Sequence, residues 1–101
     1  MKILAIEMEL KPVDWSLQAE ILENESRSVY ELMLKGYIRE IYFTAYKNAV
    51  IILECENVNT ASELLGDLPL VKKGLTGFDI MELKPYTGFG RIMLENKRNH
   101  P

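Results

Sequence analysis

Ile38-Arg39-Glu40-Ile41-Tyr42-Phe43-Thr44-Ala45-Tyr46-Lys47-Asn48-Ala49-Val50-Ile51-Ile52-Leu53-Glu54-Cys55 is the stretch that decides the fold. Its two halves, 38–46 and 49–55, are rich in β-branched and aromatic residues, which suit a pleated surface, and Lys47-Asn48 between them has turn chemistry. They read as a hairpin. Ala49 to Leu53 is apolar without interruption, as in a strand covered on both faces. Arg39 and Glu40 break the first half, as edge strands tolerate. The hairpin therefore joins an edge strand to a central one, and the central one needs another neighbour.

Working outward supplies it. Ile3 to Leu10 opens with the apolar run Ile3-Leu4-Ala5-Ile6 and stops at Lys11-Pro12, where proline removes a ladder donor. Asp14 or Ser16 caps a long helix reaching Lys35, and Gly36 supplies the left-handed residue that ends it. Downstream, Thr60-Ala61-Ser62-Glu63 has capping-box spacing for a short helix closed by Pro69. Gly74 to Leu83, with Asp79 inside it, is a last edge strand ended by Pro85. First and third strands central, with two helix crossovers, give a four-stranded antiparallel sheet of order 4-1-3-2, the ferredoxin-like α+β arrangement βαββαβ. Two helices cover one face only. The other face is still apolar, which predicts a second copy of the sheet laid against it. The domain is expected to span 1–94, with the polar segment 95–101 as a loose tail.

Composition narrows the function classes. The 101 residues suffice for one domain, and 48% hydrophobic with 27% charged residues is an ordinary globular mixture. A net charge of −3 argues against a phosphate-tracking groove and so against general nucleic-acid binding. The apolar opening run is stopped by Glu7, too short for a secretory signal, and no window approaches the ~20 apolar residues of a membrane span. Cys55 and His100 are each the single residue of their type, so neither an internal disulfide nor a zinc set is expected. A cytoplasmic protein without metal or membrane follows as the expectation.

At ~100° per residue the long helix carries a stripe of Trp15, Ala19, Leu22, Val29, Tyr30 and Met33. Leu17, Ile21 and Leu32 widen it, while Glu20, Asn24, Arg27 and Glu31 group opposite. Gln18 and Glu25, seven apart, intrude on the apolar arc. A carboxylate taken from water costs several kcal/mol unless paired or protonated. Glu25 therefore either lines a cavity as a proton carrier with a raised pKa, or sits at the arc edge or a subunit boundary, paired with Arg39, Arg91 or a tyrosine hydroxyl. A two-residue turn at Lys47-Asn48 sets Arg39 opposite Glu56 and diagonal to Glu54. That is either a dock for a ligand carboxylate or a surface ion network. Glu7, Glu9 and Asp79 are further carboxylates whose separations the sequence does not give.

Across Gly36-Tyr37-Ile38-Arg39-Glu40-Ile41-Tyr42-Phe43, then Leu68-Pro69-Leu70-Val71-Lys72-Lys73-Gly74-Leu75 and Lys84-Pro85-Tyr86-Thr87-Gly88-Phe89, the chain resembles the muconolactone isomerase-like family. The likeness covers about residues 1–94. It implies a dimeric α+β barrel without cofactor, whose sheets pair face to face in a homodimer able to assemble further. In the family's namesake a double bond in an unsaturated lactone shifts as a proton moves. Arg39 stands where the family has an arginine at the start of the second strand, which implies a ligand contact there. Glu40 and Phe43 replace a histidine and a second arginine expected of the namesake. The combined expectation is a small isomerase-like protein moving a proton on a small cyclic anionic compound. Glu25 carries the proton, Arg39 holds the anion, Tyr42 orients the ligand or donates a hydrogen bond, and Gln18 adds a contact. A non-catalytic ligand-binding or assembly module and a cofactor-free monooxygenase are the alternatives on this fold.

Overall fold

The interior begins from period two in two strands. Ile3 and Ala5 of β1 (Lys2–Glu9) and Ala49, Ile51 and Leu53 of β3 (Ala49–Glu54) point to one side and are buried. In a computed structural model, which describes residues 1–98, these two strands form the centre of a four-stranded sheet. Edge strands β2 (Ile38–Phe43) and β4 (Thr76–Leu83) flank them in the order β2-β3-β1-β4, the expected 4-1-3-2 order seen from the other edge. All three neighbouring pairs are antiparallel.

Helix α2 (Val58–Gly66) puts Ala61 and Leu65 onto the buried side of the sheet, and Leu68 completes the core. Each fully buried leucine or isoleucine side chain contributes about 1.5–3 kcal/mol. Helix α1 (Ala19–Leu34) packs beside edge strand β2 and against the one-turn helix α3 (Pro69–Lys72). None of its residues is fully buried. Val29 and Leu32 reach the core, but much of the apolar arc overhangs the sheet at a distance. Leu4, Ile6, Met8, Val50, Ile52 and Met81 alternate to the opposite face, which carries no helix among the described residues.

The helix punctuation differs from the expectation in several places. Asp14 does cap, accepting the Ser16 N–H at 3.1 Å, but it opens a 3₁₀ turn over Trp15–Leu17. The chain breaks at Gln18, so the expected 14–35 helix begins at Ala19. Its end is as expected. Gly36 has φ +86, its N–H bonds the Met33 carbonyl at 3.0 Å, and the Tyr37 N–H bonds the Leu32 carbonyl at 3.0 Å, a Schellman closure. Helix α2 starts before the capping-box residues because the Asn57 side chain accepts the Thr60 N–H at 2.8 Å. Pro69 opens α3 rather than closing α2, and Gly74 (φ +72) ends α3 before β4 begins.

The hairpin is corrected as well. Its connection is the five residues 44–48, closed by Thr44 N–H to Asn48 O at 2.9 Å and Lys47 N–H to Thr44 O at 2.8 Å, with Lys47 at φ +64. A bulge between Ile38 and Glu40 leaves Arg39 without a partner on β3. The Arg39–Glu54–Glu56 triad therefore does not form. Arg39 Nε donates to the Gly36 carbonyl at 2.7 Å, and Glu54 pairs with the N-terminal amine at 3.2 Å.

Helix α4 (Phe89–Arg98) has no counterpart among the expected elements and runs into the segment expected to be a tail. Phe89, Ile92 and Met93 on it stay exposed. The rest of that expected tail, residues 99–101 with His100, lies outside the described residues. No helix among the described residues is long and apolar enough to cross a membrane.

Candidate active site

Because α1 overhangs the sheet, its apolar stripe roofs a cleft of about 1100 Å³ instead of filling a core. Leu22, Val29, Tyr30 and Met33 form the roof, and Ile41, Ala49, Ile51 and Phe78 form the floor. Trp15 of the 3₁₀ turn, bonded to Glu9 at the end of β1, and the hairpin residues Phe43, Tyr46 and Lys47 line its mouth. Phe43 and Tyr46 are 76% and 90% exposed, so the mouth on that side is aromatic and open.

Two carboxylates enter this apolar space from opposite walls. Glu7 continues the inward alternation of Ile3 and Ala5 along β1, past the point where α2 covers the sheet. Its Oε1 accepts the backbone N–H of Ala49 at 3.1 Å. Glu25 hangs from the second turn of α1, and its Oε1 accepts the backbone N–H of Leu70 at 3.0 Å. That N–H is in the first turn of α3 and has no partner within its own helix.

Burial pushes the Glu7 carboxyl above its ordinary range, the Ala49 N–H opposes this, and the charge of Glu9 adds to the rise. Burial likewise raises Glu25, against the Leu70 N–H and with the charge of Glu7 adding to it. Each group is thus biased toward holding a proton, and each has a hydrogen bond that steadies its charged form. Glu9, the third acid of the cleft, accepts the Trp15 indole N–H at 2.6 Å. This bond ties the 3₁₀ turn to the sheet.

Among the expected site residues, Glu25 lies in the cleft, partnered by a backbone N–H and not by Arg39, Arg91 or a tyrosine. Tyr42 borders the cleft, but strand alternation turns its side chain to the helix-free face. There its hydroxyl donates to Glu40 Oε1 at 2.7 Å, and this bond raises the phenol's pKa. Gln18 lines a separate groove of about 770 Å³ on the adjacent flank of α1, with Lys11, Asn24, Lys72 and Lys73. Arg39 lines neither space. The structure therefore brings Glu25 together with Glu7, Glu9, Trp15 and Lys47, and not with Arg39 or Gln18.

The place of Glu7 was open to detection from the register Ile3-Ala5-Glu7-Glu9, since the same parity buries the first two residues. Nothing in the sequence signals Lys47, whose position depends on the longer hairpin connection. Among the described residues, no three His, Cys, Asp or Glu side chains cluster as a metal site requires.

No family model matches the sequence, and no curated protein matches it either. Solved structures do. The crystal structure of muconolactone isomerase superposes with a TM-score of 0.71 at 16% identity, covering 86% of this chain and 92% of that one. The fold is that of muconolactone isomerase. A 5-chloro-2-hydroxyhydroquinone dehydrochlorinase from Burkholderia phenoliruptrix AC1100, solved with 2,5-dihydroxybenzoquinone, shares the muconolactone isomerase fold with a TM-score of 0.60. That match has 19% identity and covers 85% of this chain and 97% of that one. The resemblance read from Gly36–Phe43 and Leu68–Leu75 is thus borne out in the architecture. In this chain the muconolactone isomerase fold carries an acidic cleft, with Lys47 as the one basic residue in its lining among the described residues.

Proposed function

We propose that the protein is an enzyme that moves a proton on a small cyclic compound bound under α1, with Glu25 as the proton carrier. The observation that carries this reading is a half-buried carboxyl, raised by burial and held by the Leu70 N–H, over an apolar cleft large enough for a ring. The names of the two structural neighbours point the same way. One is a lactone isomerase, and the other is a dehydrochlorinase solved with a benzoquinone.

The chemistry balances without an added reactant. Ionised Glu25 takes a proton from a carbon activated by a neighbouring carbonyl, and the C–H pair moves into the ring system as an enolate. Returning a proton further along the conjugated system leaves the double bond shifted. The apolar walls keep the carboxylate poorly solvated and so strongly basic toward carbon. Lys47 at the rim replaces Arg39 in this reading as the partner for an anionic substituent. A second copy covers the apolar, helix-free face of the sheet, making the working unit a homodimer.

Trp15 is the only tryptophan and lines the cleft, so its emission reports occupancy. Titration with 2,5-dihydroxybenzoquinone is expected to quench it saturably. Incubation with muconolactone in D2O is expected to exchange the activated C–H, followed by proton NMR, and Glu25→Gln to abolish the exchange. Saturable quenching with no exchange would leave a binding module. The absence of both would falsify the proposal.

A further inference from the structure

Glu25 alone leaves one half of a proton shift unassigned. A group that has just taken a proton from one carbon must swing to the other end of the ligand, or a second group must deliver there. The cleft contains a second group. Glu7 rises from the β1 floor while Glu25 descends from the α1 roof, and both line the same cleft. Each is pinned by a backbone N–H from a distant segment, Ala49 at 3.1 Å for Glu7 and Leu70 at 3.0 Å for Glu25. The pinning matters because a carboxyl fixed at its Oε1 keeps the other oxygen directed and cannot follow the proton across the cleft.

We propose that Glu7 is a second catalytic residue of this cleft, working with Glu25 from the opposite face of the bound ring. Resting on the reading above, this makes the substrate class a planar, conjugated carbonyl ring thin enough to lie between floor and roof. One carboxylate takes a proton from carbon as the C–H bond breaks. The other, protonated, gives its proton to the far carbon as a new C–H bond forms. One proton leaves the ligand and one enters, and the two carboxyls exchange states. Exchange with water resets them.

Burial favours the protonated form of each, and the charge on Glu7 raises Glu25 further, so the second ionisation of the pair is harder than the first. The active form is the singly protonated pair, and the rate profile is bell-shaped in pH. The other titratable or charged groups facing the pair are Glu9 from β1, Tyr30 from α1, and Tyr46 and Lys47 from the hairpin.

Glu7→Gln retains an oxygen for the Ala49 N–H, and its circular dichroism checks folding. With muconolactone in D2O, Glu7→Gln is expected to keep first-site exchange, to lose double-bond migration by at least ~100-fold, and to lose one limb of the pH profile. Glu25→Gln is expected to lose both reactions. Migration in Glu7→Gln at the parent rate overturns the proposal while leaving Glu25 in its role. If the parent protein leaves muconolactone untouched, the reading above fails for that compound, and the pair is decided without substrate. Carboxyl carbon-13 NMR then follows Glu25 in the parent and in Glu7→Gln. A fall of half a pH unit or more in the Glu25 midpoint supports the pair, and an unmoved midpoint overturns it.

Discussion

The carboxylate of Glu25 accepts the backbone N–H of Leu70 at 3.0 Å, a bond between residues 45 apart in the chain. It joins the middle of α1 to the first turn of α3 and supplies the partner that a half-buried acid requires. Glu25→Gln preserves an acceptor in the same place, so the fold should persist while the charge is lost. Glu25→Leu removes the acceptor and strands the Leu70 N–H, costing about 1–3 kcal/mol. Thermal melts of the two variants side by side check this, the Leu variant melting lower.

Stability should fall as pH rises above the ordinary carboxylate range. Glu7 and Glu25 have folded pKa values raised above the ordinary carboxylate value of 4.5, mainly by burial. Between that value and the raised ones, the folded state binds more protons than the unfolded state. Unfolding is therefore favoured by each step up through the raised values, and the penalty is absent below 4.5. Urea midpoints measured from pH 5 to pH 8 should decline. The Glu7→Gln, Glu25→Gln double variant should flatten the curve, and an unchanged slope would place these carboxyls in water.

Trp15 Nε1 and Glu9 Oε1 are 2.6 Å apart, and this bond is the tie between the 3₁₀ turn and β1. Trp15→Phe keeps the apolar wall and removes the donor. The expected loss is about 1 kcal/mol in stability, with weaker binding of 2,5-dihydroxybenzoquinone by calorimetry. Equal affinity in the two proteins would mean that the turn plays no part in closing the cleft.

Asn57 and Gly74 test the two corrections to helix punctuation. Asn57→Ala removes the cap on the Thr60 N–H and should cost about 1 kcal/mol. Gly74→Ala forces a side chain onto φ +72 and should cost a similar amount, about 1–2 kcal/mol. Thr60→Ala should be milder than Asn57→Ala, the reverse of what the capping-box reading of 60–63 implies. Denaturant midpoints rank the three.

The helix-free face carries Leu4, Ile6, Val50 and Ile52 at its centre, with Asp79 beside Ile6 across the β1–β4 ladder. Ile6→Glu places a charge in the middle of this patch and touches nothing under the helices. Sedimentation velocity at micromolar concentration should find a dimer for the parent and a monomer with intact circular dichroism for the variant. A monomeric parent would remove the homodimer from the proposal.

The strand order was legible because burial leaves its mark directly on composition. Ala49–Leu53 and Ile3–Ile6 are apolar at every position, so both strands had to be central, and the charges of Arg39, Glu40 and Asp79 assigned the edges. Gly36 was legible for the same local reason: a helix end needs a left-handed residue, and glycine supplies it without strain. Glu25 was visible as a polar intrusion on an apolar arc. What it faced was not, because helical periodicity gives a direction but no distance. Only the tertiary structure set α1 away from the sheet, opening a cleft where the arc alone equally fits a core. Glu7, Trp15 and Lys47 meet there through a strand register, a 3₁₀ turn and a five-residue connection. Arg39 is kept out because it is the unpaired residue of a bulge at the start of β2, at the far end of that strand from the hairpin that borders the cleft.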